Sequence, residues 1–408
     1  MPFRAREAVL WRDPDFRRLW LGQSASQVGA QAGLVTLPLV AMLVLGADAW
    51  ELGLLRAVEQ LPILLFSLLA GALVDRGRAR DIMVLTDAGR ALALAVVPVV
   101  LVLGLPALLV VGFLVGALGV FFDVAYQAAL VRIVPGERLT RANSALEGSR
   151  SAAQIGGPAL GGTLVSVFSA PFAAVAGAFF FAVSFLAIRR MREVEPASGG
   201  RGGIWAGVRL VAGHRVLRAV GIASALFQFA LAAVMTVYLV FLTQVLRLPG
   251  AGVGVALAMV GPGALAGSLV AARLPGRFGY GAVLVGSAFL ADGVLLVVPA
   301  LSGPPGAILP VLMAVNFVFG LFGQIVDVST MAVRQAVTPL HLQGRVVATI
   351  NLAGMGLTPV GSLAGGLLAG AWGPRTGLLL AASALALSPV FMALSPLARL
   401  RLGWERAD

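Results

Sequence analysis

Gly71-Ala72-Leu73-Val74-Asp75-Arg76-Gly77-Arg78-Ala79-Arg80 (GALVDRGRAR) is the stretch on which the reading of this chain turns. It follows an apolar run, Leu52 to Leu69, broken only by Arg56, Glu59, Gln60 and a few small polar residues. A second apolar run, Ile82 to Leu103, comes after it. Runs of that length suffice to cross a hydrocarbon core of ~30 Å as helices. The charges between them therefore mark a tight polar turn at one membrane face. In that turn one carboxylate, Asp75, stands ahead of three arginines, and Gly71 is expected to give close backbone approach where the first helix ends.

Composition extends this reading to the whole chain. Hydrophobic residues make up 59% of 408 positions and charged residues 12%, whereas soluble domains are about 45–50% apolar and about 25% charged. The chain is expected to be a polytopic membrane protein. Its apolar runs do not alternate, which argues against the ~10-residue segments of a membrane β-barrel. With no cysteine, disulfides and thiolate chemistry are excluded. His214 and His341 fall in polar connections without ligand-type neighbours, so no metal site is expected. The glycine-rich stretch Gly252 to Gly267 lacks a following GK[ST] and is a helix, not a nucleotide loop. No nucleophile–base pair stands out, so no enzyme and no cofactor are expected. The N-terminus is charged before it is apolar, and the first apolar run is of full membrane length, so no cleavable signal peptide is expected.

Twelve helices follow from the apolar pattern, at 19–46, 52–74, 82–103, 106–133, 143–168, 171–188, 219–246, 252–274, 280–300, 306–334, 343–372 and 376–398. The domain boundaries are 1–188 for an N-terminal six-helix bundle, 189–218 for a cytoplasmic linker and 219–408 for a C-terminal bundle. The SGGRGG segment, Ser198 to Gly203, makes the linker flexible by composition. With the N-terminus inside, 26 of the 30 arginines lie in the tails and cytoplasmic connections; Arg56, Arg247 and Arg375 fall outside and Arg90 within the third helix. This is the positive-inside pattern with both termini cytoplasmic. The net charge of +12 thus faces anionic inner-leaflet lipid, and a nucleic-acid partner is not expected. The halves repeat at an offset of 204 residues, pairing Asp123 with Asp327, Pro135 with Pro339, Arg141 with Arg345, Gly161 with Gly365 and Gly162 with Gly366. Two bundles related by an axis along the membrane normal are the expected product of such a repeat.

The 71–80 turn resembles the helix 2–3 loop of the major facilitator superfamily, G-x-L-x-D-R-x-G-R-[KR]. Gly71, Leu73, Asp75, Arg76, Gly77, Arg78 and Arg80 match, although no residue separates Arg76 from Gly77. The resemblance implies an all-α membrane fold of 12 transmembrane helices in two pseudo-symmetric six-helix bundles. It further implies that Asp75 docks on the N-terminus of helix 11 and holds one gating state. Asp87 and Arg90, on one face of helix 3, extend that motif. In helix 5, Gly157, Pro158, Gly161 and Gly162 resemble the GPxxGG motif of drug–proton antiporters, and Pro359, Gly361, Gly365 and Gly366 form a looser counterpart in helix 11. Glycines at this spacing let a neighbouring backbone approach closely, and Pro158 removes a helical hydrogen bond; plain Gly/Pro enrichment of membrane helices is the alternative. DPDFRRLWLGQSASQVG, TDAGRA and VPGERLTRANSALEGSRSAAQIGGPALGG are similar to phrases of the bacterial macrolide-efflux and enterobactin-exporter group.

Acids inside a membrane are costly and are functional candidates by default. Glu59, deep in helix 2, fits best as a protonation site, or pairs with Arg56 one turn earlier. Asp123 and Asp327 occupy equivalent places in helices 4 and 10 and serve either a gating salt-bridge network or proton coupling. Asp292 in helix 9 is a coupling site or faces a cavity. The resemblance places helices 1, 4, 7 and 10 around a central cavity, so Gln23, Gln27, Gln228, Asn316 and Gln324 are candidate substrate contacts, with interhelical hydrogen bonding as the alternative. The expected protein is a monomeric, proton-coupled exporter of lipophilic or amphipathic small molecules in the bacterial inner membrane, energised by the proton gradient. A lipid or lysophospholipid flippase, and a non-transporting sensor or scaffold, are the rival readings.

Overall fold

The computed structural model describes residues 10–134, 136–192, 205–271, 273–339 and 342–400. Within these residues the helices form twelve membrane-length rods. They are α1 (Pro14–Val44), α2 (Ala49–Arg76), α3 (Ala79–Ala95, continued by Val97–Val100 and Leu101–Leu103), α4 (Leu105–Ile133), α5 (Gly136–Phe168) and α6 (Ala170–Ile188). A short helix, Trp205–Gly213, precedes α7 (Arg215–Val240, continued by Phe241–Val245), α8 (Gly250–Ala258 and Val260–Ala271), α9 (Tyr280–Val294, continued by Leu295–Ala300) and α10 (Pro305–Val337). α11 comprises Gln343–Met355 and 358–372, and α12 comprises 374–385 and Leu387–Leu394, divided by non-helical Gly373.

Local chemistry sets the ends. Asp13 caps α1, accepting from the backbone N–H of Asp15 at 2.9 Å and of Phe16 at 3.4 Å, with Pro14 in the first turn. That cap carries α1 five residues beyond the expected start at 19. α5 begins at Gly136 and not 143, because the polar stretch before the membrane run is helical as well. α3 bends by 47° where Pro98 enters its second segment, as proline in a helix requires. α2 runs on through Gly71 to Arg76, and open space surrounds the position of a Gly71 Cβ. Among the described residues, then, nothing makes the close backbone approach expected at Gly71.

The chain divides into two units, 1–47 with 58–200, and 48–57 with 201–408. In the first, α1 packs along α5 and α6, and α3 along α4 and α6. Its inner core gathers Phe16, Leu19, Val74, Met83, Phe122, Leu130 and Ile188. In the second, α7 packs along α11, and α10 along α8 and α9. The first turns of α2 belong here, since a Cβ on Gly53 would lie 2.9 Å from the Gly366 Cα.

Glycine contacts repeat between the units, each within its own unit. A Cβ on Gly116 of α4 would meet the Glu59 carbonyl of α2 at 2.1 Å, and one on Gly320 of α10 would meet the Val260 carbonyl of α8 at 2.1 Å. The two glycines are 204 residues apart. Gly161 and Gly365 approach α1 and α7 in the same paired way. The sequence repeat is thus realised as a repeat of backbone contacts.

One turn breaks the glycine pattern. Gly373, between α11 and α12, has φ 79° and ψ 160°. Its repeat partner, Ser169, joins α5 to α6 at φ 73° and ψ 154°. That region is open to glycine and strained for a residue with a Cβ. Ser169→Gly is therefore expected to raise stability by about 1 kcal/mol, read as a higher melting temperature of the detergent-solubilised protein. An unchanged or lower melting temperature would show that the turn carries no strain.

Candidate functional site

The charged interior of the first unit is organised by Arg90. On α3 it sits one helical turn after Asp87, which places both on one face. Both are enclosed, at 4% and 0% exposure, and form an ion pair. Three other groups hold the guanidinium. Its Nη2 donates to Ser26 Oγ of α1 at 3.0 Å. The rings of Phe122 on α4 and Phe181 on α6 each lie 4.4 Å from the guanidinium carbon, a cation–π contact on either side. Ser184 of α6 is buried and faces Asp87 without reaching hydrogen-bond geometry. Asp87 Oδ2, Arg90 Nε and Ser184 Oγ are buried atoms without a hydrogen-bond partner among the described residues. Four helices thus converge on one buried ion pair whose hydrogen bonding is incomplete.

Asp123 borders this centre. It is crowded by protein yet its side chain remains exposed, and it lies within electrostatic reach of Arg90 and Arg150. Arg150 is shared with Glu147, 3.9 Å away, and both are exposed. The repeat partner, Asp327 of α10, is likewise exposed. It has no charged partner among the described residues, because positions equivalent to Arg90 and Arg150 are Val294 and Gly354. The second unit keeps the carboxylate and lacks the cations. Asp292 of α9 is enclosed, at 3% exposure, without a charged partner among the described residues. Glu59 is half-buried on α2, at the point where α4 presses on its carbonyl.

In the 71–80 turn, Arg78 is exposed and precedes α3 as its cap residue. Arg80 Nη2 donates to the Arg189 carbonyl at the end of α6, 2.8 Å away. Arg132 Nη2 donates to the Val74 carbonyl at 3.2 Å, tying α4 to the end of α2. The side chains of Asp75 and Arg76, and the whole of His341, lie outside the described residues. In α5, Gly157 and Gly161 face α1. A Cβ on Gly157 would sit 2.3 Å from Gln31 Cβ, and one on Gly161 would sit 2.5 Å from the Ala32 carbonyl. Pro158 lies inside the unbroken helix and Gly162 is buried. In the second unit, Cβ atoms on Gly361 and Gly365 would lie 2.1 and 2.4 Å from the carbonyls of Phe229 and Ala233 on α7.

The candidate substrate contacts separate into two groups. Gln23 and Asn316 are enclosed within their units, at 2% and 1% exposure. Asn316 Nδ2 donates to the Tyr238 hydroxyl at 2.7 Å, joining α10 to α7, and this geometry corresponds to interhelical bonding. Gln27, Gln228 and Gln324 are half-buried and keep part of their surface accessible. The Arg90 centre itself is only half visible in sequence. The Asp87/Arg90 spacing is legible, but Ser26, Phe122, Phe181 and Ser184 come from three other helices.

Twelve rods in two repeated units, with the 71–80 turn joining α2 to α3, match one family by sequence as well. The Major Facilitator Superfamily profile matches residues 19–352. The chain belongs to the major facilitator superfamily. Among its relatives, the multidrug efflux pump Tap of Mycolicibacterium fortuitum is 30% identical over 346 residues, 80% of this chain and 82% of Tap. The uncharacterized MFS-type transporter YfiS of Bacillus subtilis is 26% identical over 369 residues, 86% of each chain. Among solved structures, the nucleoside transporter NupG superposes with a TM-score of 0.72 at 15% identity, covering 93% of this chain and 98% of that one. A bacterial homolog of the human lysosomal transporter Spinster gives 0.74 at 14% identity, covering 98% of each. At such identities these structures speak for the superfamily fold of twelve transmembrane helices. The sequence relatives place the chain with the drug-efflux members of the superfamily.

Proposed function

We propose that this protein is a proton-coupled exporter of lipophilic or amphipathic small molecules, working by alternating access in the bacterial inner membrane with both termini cytoplasmic. The observation that carries the reading is Asp123, an exposed carboxylate inside a membrane helix that shares its surroundings with Arg90 and Arg150. Such a group can take a proton when the nearby cations are engaged by other acids and lose it when a cationic or polarisable substrate arrives. Relatives named as multidrug efflux pumps along 80% of the chain support a drug-type cargo. The close α5–α1 contact at Gly157 and Gly161 supports the antiporter reading of helix 5, since smooth backbone faces permit sliding.

Of the four acids proposed for coupling, Asp123 is the best placed. Asp327 has the same exposure without the cations, Asp292 is enclosed, and Glu59 stands one turn from Arg56. Purified protein in detergent is expected to release protons when lipophilic cations or neutral amphipathic drugs are added. Release is expected to disappear in Asp123→Asn and to persist in Glu59→Gln. Loss in Glu59→Gln alone would move the site to α2. Binding without proton release from any compound would overturn proton coupling and favour lipid flipping.

A further inference from the structure

We propose that Arg90 is a fixed cation for which two carboxylates, buried Asp87 and exposed Asp123, compete, so that the pair carries one exchangeable proton between them. The inference rests on the proton-coupled reading above and names the groups that hold the proton. It begins from how Arg90 is supported. A buried guanidinium whose sole partner was Asp87 would be stranded whenever that acid took a proton. Here Ser26 Oγ and the faces of Phe122 and Phe181 hold the guanidinium without the carboxylate. Arg90 can therefore stay in place while its carboxylate partner changes.

Among the described residues the charged and polar groups around this centre are few. α3 contributes Asp87 and Arg90, α4 contributes Asp123 and Tyr126, and α5 contributes Glu147 and Arg150. α1 and α6 face it with hydroxyls, Ser26 and Ser184. Glu147 and Arg150 offset each other at an exposed position. Among the described residues two carboxylates and one guanidinium then remain, a net charge of −1. One proton makes the set neutral, and interacting acids of this kind titrate as a pair. Asp123 is the port, because it alone of the two is exposed. A proton arriving from water at Asp123 frees Arg90 for Asp87. A cation arriving at Asp123 drives that proton back to water.

The site outlines a division of labour between the units. Asp327 repeats Asp123 but faces neither an arginine at 294 nor one at 354. The competition for a cation is thus a property of the first unit.

Infrared spectra of the purified protein in detergent, recorded across pH, read the C=O stretch of protonated carboxyl groups. Competition predicts that Asp87→Asn and Asp123→Asn each abolish the same band, since the remaining acid then has Arg90 to itself and stays ionised. The double variant removes no more than either single change. Asp87→Asn leaves Arg90 buried without its carboxylate and can fail to fold, so Asp87→Glu supplies an independent reading. It must shift the band that Asp123→Asn abolishes. Separate bands lost additively, or a band insensitive to Asp87→Glu, would overturn the proposal. Proton coupling itself fails differently: drug binding would release no proton even though the shared band behaves as described.

Discussion

Arg90→Leu is expected to destabilise the protein by about 3–5 kcal/mol, the range for removing one partner of a buried ion pair. The substitution leaves Asp87 at 0% exposure beside Ser184, with no cation in contact. It also empties the space between Phe122 and Phe181 of the charge that both rings face. The loss comes from the stranded carboxylate more than from the missing attraction, so removing both charges should recover most of it. Asp87→Asn with Arg90→Leu is expected to be markedly more stable than Arg90→Leu alone. Thermal unfolding of wild type and the two variants in detergent measures the difference. Equal melting temperatures for wild type and Arg90→Leu would show that the α1–α3–α4–α6 junction does not depend on the pair.

Gly161→Ala is the second large effect, with an expected cost of about 2–3 kcal/mol from overpacking. The added methyl would lie 2.5 Å from the Ala32 carbonyl and 3.1 Å from the Ala32 Cα. Both obstacles are backbone, so no side chain can rotate away and α5 must separate from α1. Gly365→Ala is expected to behave alike, because its methyl would meet the Ala233 carbonyl at 2.4 Å. Gly156→Ala is the internal control, on the same helix immediately before the motif with open space around its Cβ position. That change is expected to be neutral or slightly stabilising, since alanine favours helix over glycine. If Gly161→Ala and Gly156→Ala melt together, the close contact contributes nothing to stability.

Much of this architecture was legible in the sequence because the membrane simplifies the problem. A spanning helix needs a long apolar run, and each of the twelve rods lies on one. The ends that differed were the polar ones. α1 starts at Pro14, where Asp13 caps it, and α5 at Gly136, where a mostly polar stretch ahead of the apolar run is helical and packs Ala142 and Leu146 into the core. Gly71 was expected at a helix end from its place before the charges, yet α2 continues past it to Arg76. The glycine repeat was legible for Gly161 and Gly365, and its partners on α1 and α7 were not, because contact between helices is tertiary.

The site was less legible for the same reason. Spacing alone puts Asp87 and Arg90 on one face of helix 3, where the resemblance reads them as an extension of the 71–80 motif. Their surroundings in the fold are Ser26, Phe122, Phe181 and Ser184, contributed by helices 64 residues before Arg90 in one case and far beyond it in the others. Gln23 and Asn316 were polar residues on helices expected to line a cavity, and both turned inward within their own unit. A helix has two buried faces in a bundle, and periodicity does not say which one meets substrate.

Drug transport into proteoliposomes under an imposed pH gradient tests the central claim most directly. With an acid lumen, the account predicts accumulation of lipophilic cations or amphipathic drugs above protein-free liposomes, collapse of that accumulation by a protonophore, and its absence in Asp123→Asn. Accumulation that is the same with and without the gradient, or a panel in which no compound accumulates, would contradict it.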